Sequence, residues 1–356
     1  MKILKSITQQ YPAPFSPLAA GLSVMVCCFV WLSSPGLATA KSNTYEIVVH
    51  GGQVEKTIDY FKNKNFWGAT THDKDLDVPR IILAVTSKRW EKESQKVEVK
   101  VKKELFYRAI VPMILYANEL ILKERQALEE LNEIQRKGKA LSAKEMSRLQ
   151  SIAKKYGLKE VDDSKKQIAQ LLERVDIIPP SLALGQTAYE SGYGTSRFAV
   201  EGNALFGQWT YSGDGMKPEQ HRKSKGNYGV AAYKWPFDSV RSYMHNLNTH
   251  SAYQGLRDKR AVLRGQGKEV GGLALADTLT SYSEKGAEYV KTLKSIISVN
   301  GLEVADNAYL RDEPMTLVVG VDDVKQVGEA ESKIEQLRAS GELDRIIKSM
   351  RLDGEE

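Results

Sequence analysis

The spacing of apolar residues changes several times along the chain, and each change marks an element. Tyr45 to Val49 (YEIVV) and Ile81 to Val85 (IILAV) are β-branched runs that predict short strands, with Phe66-Trp67-Gly68 between them. A third such run, Met315 to Val321 (MTLVVGV), comes only near the C-terminus. It is a candidate to pair with the first two in one small α/β layer. From Val101 the period becomes helical, with Leu105, Ala109, Pro112, Leu115, Tyr116, Leu120 and Leu122 at helical spacing, then Leu128, Leu131 and Ile134 before Gly138. Pro112 is expected to kink this helix.

Helix-start signals organise the next stretch. Ser142 followed by Glu145 has the form of a capping box and opens a helix that stops at Gly157. Ser164 followed by Gln167 reads the same way, ahead of the apolar face Ile168, Leu171, Leu172 and Val175. Pro179-Pro180 ends that element and begins another, because proline fits the first turn of a helix. The new helix runs over about residues 181–191 into Gly192 and Gly194, with Glu190 in its last turn. Further on, Val240, Tyr243, Met244 and Leu247 share one face, and Asp238 is positioned to cap that helix.

The first forty residues stand apart from this pattern. Lys2 and Lys5 precede a nearly unbroken apolar run from Leu18 to Leu32, and Ala38-Thr39-Ala40 is a small-x-small cleavage site. The expectation is an export signal over 1–40 and a mature chain starting near Lys41, placed in the periplasm or cell envelope. Both cysteines, Cys27 and Cys28, fall inside that leader, so the mature chain has neither a disulfide framework nor a thiolate metal site. Composition is that of a folded protein, 42% hydrophobic and 27% charged. The net charge of +6 is spread along the chain and does not point to a nucleic-acid partner.

The most unusual stretch is AYESGYGTSRFAVEGNALFGQW, Ala188 to Trp209. An acid in the last turn of a helix meets the negative end of the macrodipole, which disfavours its charge by about 0.3–1 kcal/mol. That position is poor for stability. It serves a carboxyl that must stay protonated near neutral pH, above all where Tyr189, Tyr193, Phe206 and Trp209 exclude water. Gly192 and Gly194 stop the helix and leave room for a bulky substrate. The plainer alternative is a surface glutamate on a glycine-capped helix.

The motif Glu190-Ser191-Gly192-Tyr193-Gly194-Thr195-Ser196, with Asn203-Ala-Leu-Phe206-Gly207, resembles the exported glucosaminidases of glycoside hydrolase family 73, and within them the Bax-type proteins of Gram-negative bacteria. Phe237 to Arg257 and Leu279 to Ile297 resemble the later blocks of the same family, with Tyr282 and Tyr289 at matching spacing. The resemblance covers about residues 165–304 and implies an α+β, mainly helical, lysozyme-like domain with a small β-lobe. The expected organisation is an α/β flank over 41–100, a helical linker over 101–164, the glucosaminidase domain over 165–305 and a second α/β flank over 306–356.

The same resemblance implies hydrolysis of the glycosidic bond after N-acetylglucosamine in peptidoglycan, with Glu190 as general acid. Such a reaction needs a proton donor on one side of the bond and negative charge or a placed water on the other. For the second group the resemblance points to the loop from Trp209 to Lys234, where Glu219 is nearer the expected place than Asp214; without either, the substrate's N-acetyl group would assist. Tyr282 is a candidate to place substrate or water. Tyr193, Phe206, Trp209, Tyr211 and Tyr289 are candidates to bind sugar, and Trp235 is another stacking platform, with buried packing the rival reading for each. Arg197 pairs either with a nearby acid or with a substrate carboxylate. His221, His245 and His250 lack metal-ligand spacing, and the chemistry calls for no cofactor. The expected partner is the glycan strand, with the flanks open to an envelope protein. A muramidase, a lytic transglycosylase and a wall-binding scaffold are the alternatives.

Overall fold

A computed structural model describes residues 45–67, 77–84, 88–159, 163–218, 228–350 and 352. The expected leader and Glu219 lie outside them. The described chain is α+β and mainly helical, with a three-stranded parallel sheet and two two-stranded pairings.

The three predicted strands form, and they form one sheet. β1 (Glu46–His50) and β3 (Ile81–Leu83) lie on either side of β7 (Thr316–Gly320), all parallel. The central strand of the layer therefore comes from the far end of the chain. β2 (Asp77–Val78) pairs in parallel with β6 (Tyr309–Leu310) and ties the same ends together a second time. Arg80 completes the join: its guanidinium takes Glu119 in a two-pronged contact at 2.8 Å and donates to the Arg311 carbonyl at 2.6 Å. The short helices α1 (Val54–Asn63) and α2 (Lys88–Glu93) belong to this N-terminal region.

The spine is α3 (Val99–Arg136), 38 residues and so about 57 Å long. It continues through Pro112, the residue at which the sequence suggested a kink; buried residues on both sides hold the helix across the missing donor. Its length and composition would suit a membrane span, but 67% of its most apolar window is buried inside the protein. It packs against α4 (Ala143–Lys155), α5 (Ser164–Arg174), α6 (Pro180–Ser191), β3, and α8 (Pro236–Thr249), which follows the short α7 (Arg197–Gly202) and the β4–β5 pair (Trp209–Thr210 with Gly229–Val230). The remaining helices are α9 (Gln254–Gly265), α10 (Gly272–Ala276), α11 (Ala287–Val299), α12 (Val327–Ala339) and α13 (Glu342–Ser349).

Helix starts largely obey local chemistry. Ser142 and Glu145 make the reciprocal capping box at α4. At α5 the cap is Asp163 and not Ser164: the Asp163 carboxylate accepts from Lys165 N and Lys166 N, while the Ser164 hydroxyl is taken by the Gln135 side chain. At α8 the cap position is Trp235 and Pro236 is the first residue, so Asp238 sits in the first turn, where its charge suits the helix dipole.

The helix that matters most, α6, is held at both ends by distant residues. Its cap residue, Pro179, has no side-chain donor or acceptor, and Asp306 fills the role from 125 residues away, accepting from Ser181 N at 2.8 Å and from Ser181 Oγ at 2.7 Å. Just ahead of the helix, the Asn118 side chain pairs both backbone groups of Ile178. Midway, a Cβ on Gly185 would come within 2.9 Å of Leu293 and Ile297, so only glycine lets α11 cross this closely.

Candidate active site

At its C-terminal end α6 stops in the left-handed region, with Gly192 at φ 57° and, less usually for a side-chain-bearing residue, Tyr193 at φ 59°. Ser191 locks this turn: its hydroxyl donates to Thr187 O at 2.6 Å and accepts from Gly194 N at 2.8 Å. Trp90, on α2, donates its indole N–H to the Tyr193 carbonyl at 2.9 Å. The N-terminal region thus grips the turn that begins two residues after Glu190.

Glu190 lies in the last turn of α6, partly buried, and burial pushes its carboxyl up to about 7; a hydrogen bond from Tyr289 and the charge of Lys285 pull the other way. The wall around it is tyrosine. Tyr289 is fully buried on α11, stacked with Tyr282 at 5.6 Å between ring centres and edge-on to Tyr189 at 5.3 Å. Tyr282 in turn lies beside Tyr253 at 5.9 Å. Tyr243, from α8, stacks on Phe206 at 3.8 Å. The hydroxyls of Tyr243, Tyr253, Tyr282 and Tyr289 are all held above their ordinary range, first by burial and then by the Glu190 charge, among others. Gly207 closes one side, since a Cβ there would stand 3.7 Å from Glu190 Oε2. Lys285 reaches the Tyr189 hydroxyl at 3.1 Å.

The candidates read from the sequence separate into groups. Glu190, Tyr282 and Tyr289 come together. Tyr289, however, has no exposed surface, so it meets Glu190 from behind and does not touch a sugar. Tyr282 is partly buried, and its hydroxyl donates to the Phe206 carbonyl at 3.3 Å. Phe206 is buried beneath the site as packing for Tyr243. Tyr193 faces the other way, against Phe106 and Tyr107 of α3 with Lys103 over its ring. Trp209 and Tyr211 stand out on the β4–β5 lobe, 50% and 67% exposed, and Trp209 stacks with Tyr228. Trp235 is buried. Arg197 takes the first of its two options, facing Glu201 at 3.6 Å and donating to the Lys217 carbonyl. Asp214 is exposed, and Glu219 is outside the described residues.

Gln186, Tyr253, Lys285 and Trp90 went unnoticed in the sequence, and Tyr243 was read only as part of an apolar helix face. Only Gln186 carried a signal there, as a polar residue one turn before Glu190 in an otherwise apolar helix. A cavity of about 530 Å³ lies away from this cluster, on the opposite side of α8 between Glu124, Lys155, Trp235 and His245. Among the described residues no group of three or more His, Cys, Asp or Glu gathers as a metal site would require.

A carboxyl that holds its proton up to about pH 7 inside a phenolic wall, at the end of a helix, is what a glycosidase acid needs. The glucosaminidase family, described as mannosyl-glycoprotein endo-beta-N-acetylglucosaminidase, matches residues 165–302. Through this segment the chain is a member of the glucosaminidase family, of the Bax type. It is similar to protein bax of Escherichia coli (strain K12), 39% identical over 189 residues, a span of 53% of this chain and 66% of that protein's length. No solved structure matches the chain significantly.

Proposed function

We propose that this protein is an exported peptidoglycan hydrolase that cleaves the glycosidic bond after N-acetylglucosamine, with Glu190 as the general acid. The observation that carries the reading is the Glu190 carboxyl, held by burial at about 7 in the last turn of α6. Such a group is about half protonated at neutral pH, where an ordinary carboxyl is almost wholly ionised, and gives its proton to the departing sugar oxygen as the oxocarbenium-like transition state forms. Trp209 and Tyr211 offer rings to the apolar faces of the glycan. The second group is Glu219 or, in its place, the substrate's own N-acetyl oxygen. The apolar leader with its Ala38-Thr39-Ala40 site supports a periplasmic or envelope location.

The test is mass spectrometry of purified peptidoglycan treated with the wild type and with Glu190→Gln. New reducing N-acetylglucosamine ends are expected from the wild type, with turnover lowered on the order of a thousand-fold in the variant. Muramic acid or anhydromuramic acid ends would move the cleavage to the other bond. Equal activity of the two proteins would remove Glu190 from the role, and no products from either would leave a wall-binding protein. Activity should also fall as pH rises through about 7, where Glu190 loses its proton.

A further inference from the structure

Behind Glu190 runs a chain of polar groups with no route to solvent. Tyr243 Oη donates to Gln186 Oε1 at 2.6 Å, and Gln186 Nε2 donates to Tyr289 Oη at 2.9 Å; all three residues are fully buried. Tyr289 in turn acts on the Glu190 carboxyl, its hydroxyl pulling that group's pKa down against burial. Gln186 and Glu190 are four residues apart on one face of α6, and so their positions are fixed together by the helix.

This arrangement has a direction. With its oxygen taken by Tyr243, the Gln186 amide can offer Tyr289 only an N–H, and Tyr289 must then spend its own proton elsewhere. Turning the amide over would present an N–H to Tyr243 and strand the Tyr243 proton in a dry interior, where an unpaired donor is disfavoured. We infer that Gln186 is a positioning residue, whose amide, set by Tyr243, points the Tyr289 proton at the Glu190 carboxyl. The inference rests on Glu190 being the acid. Its consequence is that the carboxylate left after proton transfer finds a donor already aimed at it, with no reorganisation. Tyr253, Tyr282 and Lys285 also face Glu190, but none of them is bonded to Gln186.

The experiment compares wild type with Gln186→Met, which keeps the side chain's length and loses both hydrogen bonds. Two readouts are taken, the pH dependence of kcat and KM and the titration of the Glu190 side chain by carbon NMR. A hydrogen bond to the charged form lowers a carboxyl's pKa, so losing the aimed donor raises it. The expected result is a kcat lower by roughly ten-fold with KM unchanged, and a Glu190 titration and alkaline limb moved up by about half a unit to one unit. A folded Gln186→Met with the wild-type titration and kcat overturns the inference. If that variant does not fold, Tyr243→Phe decides, since it removes only the hydroxyl that sets the amide: an upward shift supports the inference and an unmoved titration overturns it. The NMR titration reads the network whether or not the wild type hydrolyses peptidoglycan, so failure of the functional reading is separable from failure of this one.

Discussion

Asp176 and Glu190 bracket the same helix, the first just ahead of α6 and the second in its last turn, and both carboxyls are withdrawn from water. Around Asp176 the neighbours are cations. Arg264 makes a close two-nitrogen contact, Arg125 stands at 3.5 Å and Arg260, itself fully buried, at 3.7 Å, while Ile177 N donates from the backbone. Around Glu190 the neighbours among the described residues are phenols and an exposed lysine, Lys285. The first environment gives the charge partners on every side, tying α3 and α9 to the segment before α6. The second withholds them, and so leaves a proton within reach of neutral pH. Burial beside many counter-charges fixes a carboxylate, whereas burial with little counter-charge raises a carboxyl toward neutral pH.

The largest effect expected on this contrast is at the arginine cluster. Asp176→Asn strands Arg260 without its counter-ion and should destabilise the fold by about 3–5 kcal/mol, measured by urea unfolding, because removing one partner of a buried ion pair exposes the cost of burying the other. Loss of less than about 1 kcal/mol would show that the backbone carbonyls around Arg260, those of Asp176, Ile177, Glu173 and Arg174, suffice for it.

The same measurement on Glu190 should give the opposite sign. Its folded pKa, about 7, is above the ordinary 4.5, so the folded state favours the protonated form. The stabilisation tied to that proton is complete below pH 4.5 and is lost as pH rises through 7. Glu190→Gln, which cannot ionise, should therefore match the wild type near pH 4 and exceed its stability at pH 8 by up to about 3 kcal/mol. Equal stability of the two proteins at both pH values would mean that the carboxyl is better solvated than its surroundings imply.

The smallest effect sharpens the role of Lys285. It is the cation whose charge lowers the Glu190 pKa, and Lys285→Met should raise the alkaline limb of activity by a few tenths of a unit, since an exposed charge acts through screening solvent. A shift of a whole unit would place the lysine closer to the reacting proton than its contact with Tyr189 indicates.

Much of this was legible in the chain. The strand runs, the capping box at Ser142, the proline start of α6 and the glycine stop after Glu190 are local features, written in neighbouring residues and decided by backbone sterics and end-group hydrogen bonding. The unusual placement of Glu190 was legible for the same reason, as a carboxyl where a helix least wants one. The tertiary structure decided what lies far apart in sequence. It put the C-terminal strand at the centre of the sheet, brought Asp306 to cap α6, set Trp90 against the turn after Glu190, and turned Tyr193 and Phe206 from sugar contacts into packing. It also made the difference between Asp176 and Glu190, because desolvation and counter-charge depend on which distant side chains close around a carboxyl, and no window of neighbouring residues contains that.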